Sequence, residues 1–245
     1  AQAFIEIQKY FGLDFAIGLM DLSVMAGDLG AGVRMDEQNT PFVEKHIVND
    51  LEDYEKFEVP DITKGRSAVL LEGTKTGVKG LCWDYLWGNY AVLGDVEYHE
   101  FEADKYASKL NKMTVDNGMA MCIHNCADLP HLNTQIKEYK PSIYSMAYYP
   151  LISDSPTASQ VIEQGYADNC LIAGQIDPQV FIRSSAEDVA KITSNLCQEV
   201  KTALCKRGLN STYCISSGCE IPPDINCRLE NIQAMVDTAK VEGRM

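Results

Sequence analysis

"MAMCIHNCADLPHLNTQIKEYKPSIYSMAY", residues 119–148, decides how the rest of the chain is read. Two short apolar runs, 119–125 and 142–148, flank a polar stretch long enough for a helical crossover. Parallel strands need such a crossover, because a tight turn joins only antiparallel ones. Toward the C-terminus the alternation continues. A helix "TASQVIEQGY" (157–166) precedes the strand "NCLIAGQI" (169–176), and a helix "SAEDVAKITSNLCQEVKTALCKRG" (185–208) precedes the strand "STYCISSG" (211–218). A last helix, "LENIQAMVDTAKVEG", covers 229–243. Short apolar strands alternating with amphipathic helices predict parallel βα units with a covered sheet. Ser184 or Ser185 supplies the N-cap of the long helix, and "SAED" has the form of a capping box.

Toward the N-terminus the pattern thins. The helix "EADKYASKLNKMTVDNG" (102–118) ends at Gly118, a residue suited to the left-handed conformation beyond a helix. Before it, "LEGTKTGVKGLCWDYLWGNY" (71–90) has no clear period. Residues 36–66 are acidic and punctuated by Pro41, Pro60 and Gly65, so they read as a surface connection with short helices. A helix "AFIEIQKYFG" and a strand "FAIGLM" (15–20) open the chain. Four clear C-terminal strands and one N-terminal strand predict an α/β fold of the (β/α)8 TIM-barrel type. That barrel would be incomplete or truncated, since about 250 residues is the usual size of a full one. A doubly wound sheet is the alternative. The expected organisation is one domain over 1–245.

At 245 residues with a net charge of −14, the chain offers no basic face for displacing counterions from nucleic acid. There is no apolar run of the ~18 residues a spanning helix needs, and the N-terminus lacks the regions of a secretory signal. The expectation is a cytoplasmic protein without nucleic-acid or membrane partners. Nine cysteines, an odd number in a large domain, read mostly as buried free thiols. Cys122, Cys170, Cys197 and Cys214 sit inside apolar runs.

In a parallel α/β protein the C-terminal strand ends form the functional mouth. His124 and Cys126, two apart at the end of a strand, project to one side. Cys219 follows another strand, several βα units on. One nitrogen and two sulfurs suit a tetrahedral zinc with an exchangeable fourth position. His-x-Cys alone is common by chance, and Cys214 and Cys227 compete with Cys219; Cys214 reads as mid-strand core and Cys227 as the start of the last helix. His131 lies in the loop opening the next helix and reads as solvated, and His46 and His99 as surface residues. Thiolate-rich zinc is a poor source of hydroxide but suits activation of an incoming thiol, which a metal deprotonates. Methyl transfer therefore fits this ligand set better than hydrolysis.

"IHNC" (123–126), "IAGQIDP" (172–178) and "SSGCEIPPDINCRLENIQAMVDTAK" (216–240) resemble the uroporphyrinogen-decarboxylase-like methyltransferases, and "YFGLDFAIGLMDLSVMAGDLGAGV" (10–33) extends the likeness to the N-terminal end. That group includes the corrinoid-protein:coenzyme M methyltransferases and related O-demethylase methyltransferases. The resemblance implies His124, Cys126 and Cys219 as zinc ligands. It also implies transfer of a methyl group between a small molecule and the cobalt of a corrinoid (cobalamin). The small molecule is a methoxy or methylated donor, or a thiol acceptor such as coenzyme M. With no Asp-x-His-x-x-Gly motif in the chain, the corrinoid is expected on a separate corrinoid-binding partner protein. The chain departs from the family pattern at Ala127, where glycine is usual, and in the longer "PPDINCRLEN". The family's N-terminal segment and part of its middle are not visible. Two rivals remain: a metal-free decarboxylase, although the arginine-rich segment of that enzyme is missing, and a non-catalytic zinc- or corrinoid-binding partner.

Other polar residues are candidates for the same mouth. Glu220, Glu97 and Asp177 are possible fourth ligands or substrate contacts, set against a solvated acidic face for Glu97 and a turn with Pro178 for Asp177. Asp21, after "FAIGLM", and Tyr148 and Tyr149, after "SMA", are candidates for a substrate pocket.

Overall fold

Strand and helix alternate from Gly80 to Glu242 in the computed structural model. It describes residues 17–21, 33–35, 41–43, 67–68, 70–71, 74, 79–86, 88–91, 93–147 and 155–244. The strands are β1 (Ile17–Asp21), β2 (Val33–Met35), β3 (Pro41–Val43), β4 (Gly80–Asp84), β5 (Ala120–Asn125), β6 (Ile143–Met146), β7 (Leu171–Ile176) and β8 (Tyr213–Ser217). Six of them form one parallel sheet in the order β1-β4-β5-β6-β7-β8, while β2 and β3 make a separate antiparallel pair. Parallel strands adjacent in the order in which the chain visits them are the arrangement of a (β/α)8 barrel.

Helices fill the crossovers. Between β4 and β5 a continuous helical segment comprises α1 (Asp95–Tyr98), a π-helical stretch (His99–Ala107) and α2 (Ser108–Asp116), and it ends before Gly118 at φ 73°. A second π-helical stretch, Asn133–Glu138, joins β5 to β6. The remaining α-helices are α3 (Ala158–Glu163), α4 (Val180–Arg183), α5 (Ala186–Arg207) and α6 (Leu229–Glu242), with a 3-10 turn at Tyr166–Asp168. α5 begins at the capping box expected from "SAED": the Ser185 hydroxyl accepts the Asp188 N–H at 3.2 Å, and the Asp188 carboxylate accepts the Ser185 N–H at 3.4 Å. It ends at Gly208 with φ 67°, acidic in its first turn and basic in its last, as its dipole favours. Among the described residues no helix is long and apolar enough to cross a membrane.

Strand period 2 divides the sheet into two faces. One presents Leu81, Trp83, Met121, Ile123, Tyr144 and Ile172 to the helices and forms the main core. The other carries Cys82, Cys122, His124 and Ser145. β4 falls in the stretch that shows no period in the sequence, and all five of its residues are buried. A strand covered on both faces loses the polar alternation that would mark it.

Three readings change. Residues 36–66 are not wholly a surface connection, because Pro41–Val43 pair as β3 with β2. His131 is not solvated; it is 1% exposed. Its Nε2 lies 2.8 Å from the Leu93 carbonyl and its Nδ1 3.0 Å from Asp95 Oδ1, with Tyr98 stacked 4.7 Å away. Cys214 is exposed rather than core, since β8 is an edge strand among the described residues and Cys214 faces away from the helices.

Candidate metal centre

Register places the polar residues of the inner face in ranks. Asp84 on β4 pairs with His124 on β5, His124 with Ser145 on β6, Ser145 with Ala173 on β7, and Ala173 with Cys214 on β8. Asp21, at the C-terminal end of β1, occupies the same rank beside Asp84. One rank below, Cys82 and Cys122 are register partners with sulfurs 3.2 Å apart, both buried.

His124 and Cys126 stand at the C-terminal end of β5, and Cys219 lies two residues beyond β8. Three strand spacings separate β5 from β8, about 14 Å across a flat sheet. Yet one donor atom from each of His124, Cys126 and Cys219 lies within 4.8 Å of the other two. Curvature of the sheet and the return of the loop after β8 close that gap. The Gly218 N–H ties the loop to the Ile176 carbonyl of β7 at 2.7 Å. β7 itself bends here, with Gly174 at φ 124° and Gln175 at φ 80°. Only glycine fits at 174, because a Cβ would sit 2.2 Å from the Met146 carbonyl oxygen of β6.

His124 Nδ1 lies 3.0 Å from Ser145 Oγ. Engaged with that hydroxyl, Nδ1 is not free to coordinate, so Nε2 is the atom available to an ion, and the partner orients the ring. Asp84 Oδ1 is 4.0 Å from Nε2, with the Asp84 side chain 11% and the imidazole 14% exposed. Burial pushes the imidazole pKa down, but the hydrogen bond with Cys219 and the Asp84 charge outweigh it, and the net shift is upward. The Cys219 thiol is pulled down to about 4 by hydrogen bonds from Cys126 and then from His124, with the Glu220 backbone N–H adding to them. Its hydrogen bond to Cys219, reinforced by burial, pushes Cys126 up instead. These contacts favour the thiolate at Cys219 and the proton on Cys126.

These residues fit zinc. Zinc–sulfur bonds of about 2.3 Å and zinc–nitrogen bonds of about 2.0 Å put tetrahedral donors roughly 3.5–4 Å apart, inside the 4.8 Å within which the three donor atoms lie. Two thiolates with an imidazole are a soft, zinc-selecting set. Among the described residues this is the one trio of His, Cys, Asp or Glu so disposed.

The other candidates lie as follows. Glu220 is exposed, and its backbone rather than its side chain touches Cys219. The Asp177 carboxylate accepts the Gln179 N–H at 2.8 Å and so makes the turn at Pro178. Glu97 sits on α1, half-buried and outside the trio. Tyr148 and Tyr149 lie outside the described residues, as does His46. Cys227 precedes α6 and packs against the core. Sequence reasoning missed Asp84 and Ser145. For Asp84 the available signal was a carboxylate closing the apolar run "GLCWD"; for Ser145 there was none.

Comparison with known proteins places the chain in a family and beside solved structures. The model of the family described as Uroporphyrinogen decarboxylase (URO-D) matches residues 1–82 and 73–241. A solved structure, "methyltransferase from Methanosarcina mazei", superposes with a TM-score of 0.65 at 15% identity, covering 98% of this chain. This chain spans 63% of that protein's length, and at such low identity the likeness is one of fold. Among curated proteins no sequence matches.

Proposed function

Because the chain belongs to the uroporphyrinogen decarboxylase (URO-D) family, we propose that it is a zinc-dependent methyltransferase. It moves a methyl group between a small molecule, either a methylated donor or a thiol acceptor such as coenzyme M, and the cobalt of a corrinoid carried by a partner protein. The observation that carries this reading is the convergence of His124, Cys126 and Cys219 at the strand ends. A methyltransferase with the same fold supports it.

Bound by this trio, zinc supplies a Lewis acid that holds a thiol as thiolate or draws charge onto the heteroatom of a methyl donor. The protein's part is electrostatic and geometric. Ser145, 3.0 Å from Nδ1, leaves Nε2 as the imidazole nitrogen available to the ion. Cys126 and Cys219 bring two negative charges that suit the site to thiol activation rather than hydroxide formation. Asp84 adds a buried carboxylate beside the imidazole, favouring positive charge there.

The test is transfer itself. Zinc-loaded protein should demethylate methylcobalamin in the presence of a small thiol, or methylate reduced cobalamin from a methoxy compound, and the zinc-free protein should do neither. Loaded protein inert with every donor and acceptor of these classes refutes the reading, and decarboxylation of a tetrapyrrole by metal-free protein replaces it.

Proton release checks the state of the ligands. Ligands bind zinc deprotonated. With the thiolate favoured at Cys219 and the proton at Cys126, Cys126 must release its proton to bind, and so must His124 wherever it is charged. Zinc binding should therefore release at least about one proton per ion near pH 7. Affinity should fall as pH drops, first as His124 and Cys126 hold their protons and finally as Cys219 protonates near 4. Calorimetry in two buffers of different ionisation enthalpy measures this. Binding without proton release contradicts the assignment.

A further inference from the structure

Between the two ligands of the His-x-Cys pair stands Asn125, a polar residue that is 0% exposed and points to the helix side of the sheet. Its amide is fully engaged. The Nδ2 hydrogens are shared among the Tyr85 carbonyl at 2.8 Å, the Gly88 carbonyl at 3.0 Å and Gln135 Oε1 at 3.1 Å. Its Oδ1 accepts the Ala127 N–H at 3.0 Å, which closes a turn around Cys126. Gln135, also 0% exposed, braces this arrangement from the crossover to β6. Its Nε2 donates to the Tyr98 hydroxyl at 3.1 Å, and the Tyr144 hydroxyl donates to its Oε1 at 2.7 Å. Gly88 leaves no slack, since a Cβ there would lie 2.2 Å from Gln135 Nε2.

A buried amide with every donor and acceptor matched fixes the backbone it belongs to, because any shift strands polar groups away from water. Here the fixed backbone carries His124 on one side and Cys126 on the other. The strand end is tied to the loop after β4, and the chain beyond Cys126 to Asn125 itself. A packed apolar side chain at 125 would hold the strand but would not set the turn that aims Cys126.

We propose that Asn125, braced by Gln135, is a positioning residue that sets the relative placement of His124 Nε2 and Cys126 Sγ for the ion; this rests on the metal reading above. Asn125→Ala removes both the tie and the turn. Its zinc affinity, measured by chelator competition, should fall about 10–100-fold, the size of effect seen when groups that orient metal ligands are removed. Cobalt(II) in the variant should show a changed ligand-field spectrum, marking altered coordination geometry. Tyr144→Phe deletes only one hydroxyl from the network and keeps the core filled. It should weaken zinc by a smaller factor in the same direction, and it decides the matter should Asn125→Ala fail to fold. A purely structural role predicts lower melting temperatures with zinc affinity and the cobalt spectrum unchanged. Wild-type protein that binds stoichiometric zinc, beside folded variants that bind it equally well with the same spectrum, overturns the proposal. Wild-type protein that binds no zinc overturns the metal reading and this proposal together.

Discussion

Cys219→Ser is expected to weaken zinc binding by about 100-fold or more. Structural zinc sites with four protein ligands bind with roughly 10–16 kcal/mol. One ligand is therefore worth about 3 kcal/mol, or some two decades in affinity at 1.4 kcal/mol per decade. Serine occupies nearly the same volume, but its hydroxyl keeps its proton at neutral pH. Cys219 is half-buried in a loop beyond β8, so folding should be little affected and the loss should appear in the metal alone. The same measurement separates Cys219 from its rivals. Cys214→Ser and Cys227→Ser should leave zinc affinity unchanged, since neither belongs to the trio. An unchanged affinity in Cys219→Ser would remove the third ligand and the site with it.

The second large effect concerns the strand that the sequence hides. Trp83 on β4 is 0% exposed, and its indole N–H donates to Thr114 Oγ1 on α2 at 3.0 Å. Trp83→Ala should destabilise the protein by about 3–5 kcal/mol through the lost contacts and the cavity left behind. The hydroxyl of Thr114 still donates to the Leu110 carbonyl at 2.8 Å, so most of the loss is apolar. Urea denaturation followed by far-ultraviolet circular dichroism measures it. A change under about 0.5 kcal/mol, the scale of a surface substitution, would mean that β4 does not sit between β1 and β5 as described.

Local signals made the second half of the molecule legible. α5 announces both of its ends, through Ser185 with Asp188 and through Gly208. β5 to β8 are short apolar runs set between amphipathic helices, so their parallel order follows from connectivity. β4 gave no such signal because burial on both faces erases alternation, and its Asp84 looks like a surface residue until the register aligns it with His124. His131 illustrates the opposite limit. Its burial depends on Tyr98 and Asp95, more than thirty residues away in the chain, and no local pattern encodes that enclosure.

The candidate site divides along the same line. The His124 and Cys126 pairing is local and follows from strand period. The approach of Cys219 is not local, for sequence spacing contains no information about how far a sheet curves; its place just past another strand made it a candidate, and the family resemblance singled it out. Ser145 and Asn125 were invisible for a related reason. Each acts through a partner that only the register of β6 or the packing of the crossovers brings near. Asp21 is placed by register in the rank of Asp84 and His124.

Zinc-edge X-ray absorption on the purified protein tests the central claim most directly. One zinc per chain is expected, with two sulfurs at about 2.3 Å and an imidazole nitrogen at about 2.0 Å. A protein that takes up no zinc, or a zinc shell made of oxygen and nitrogen without sulfur, would contradict it.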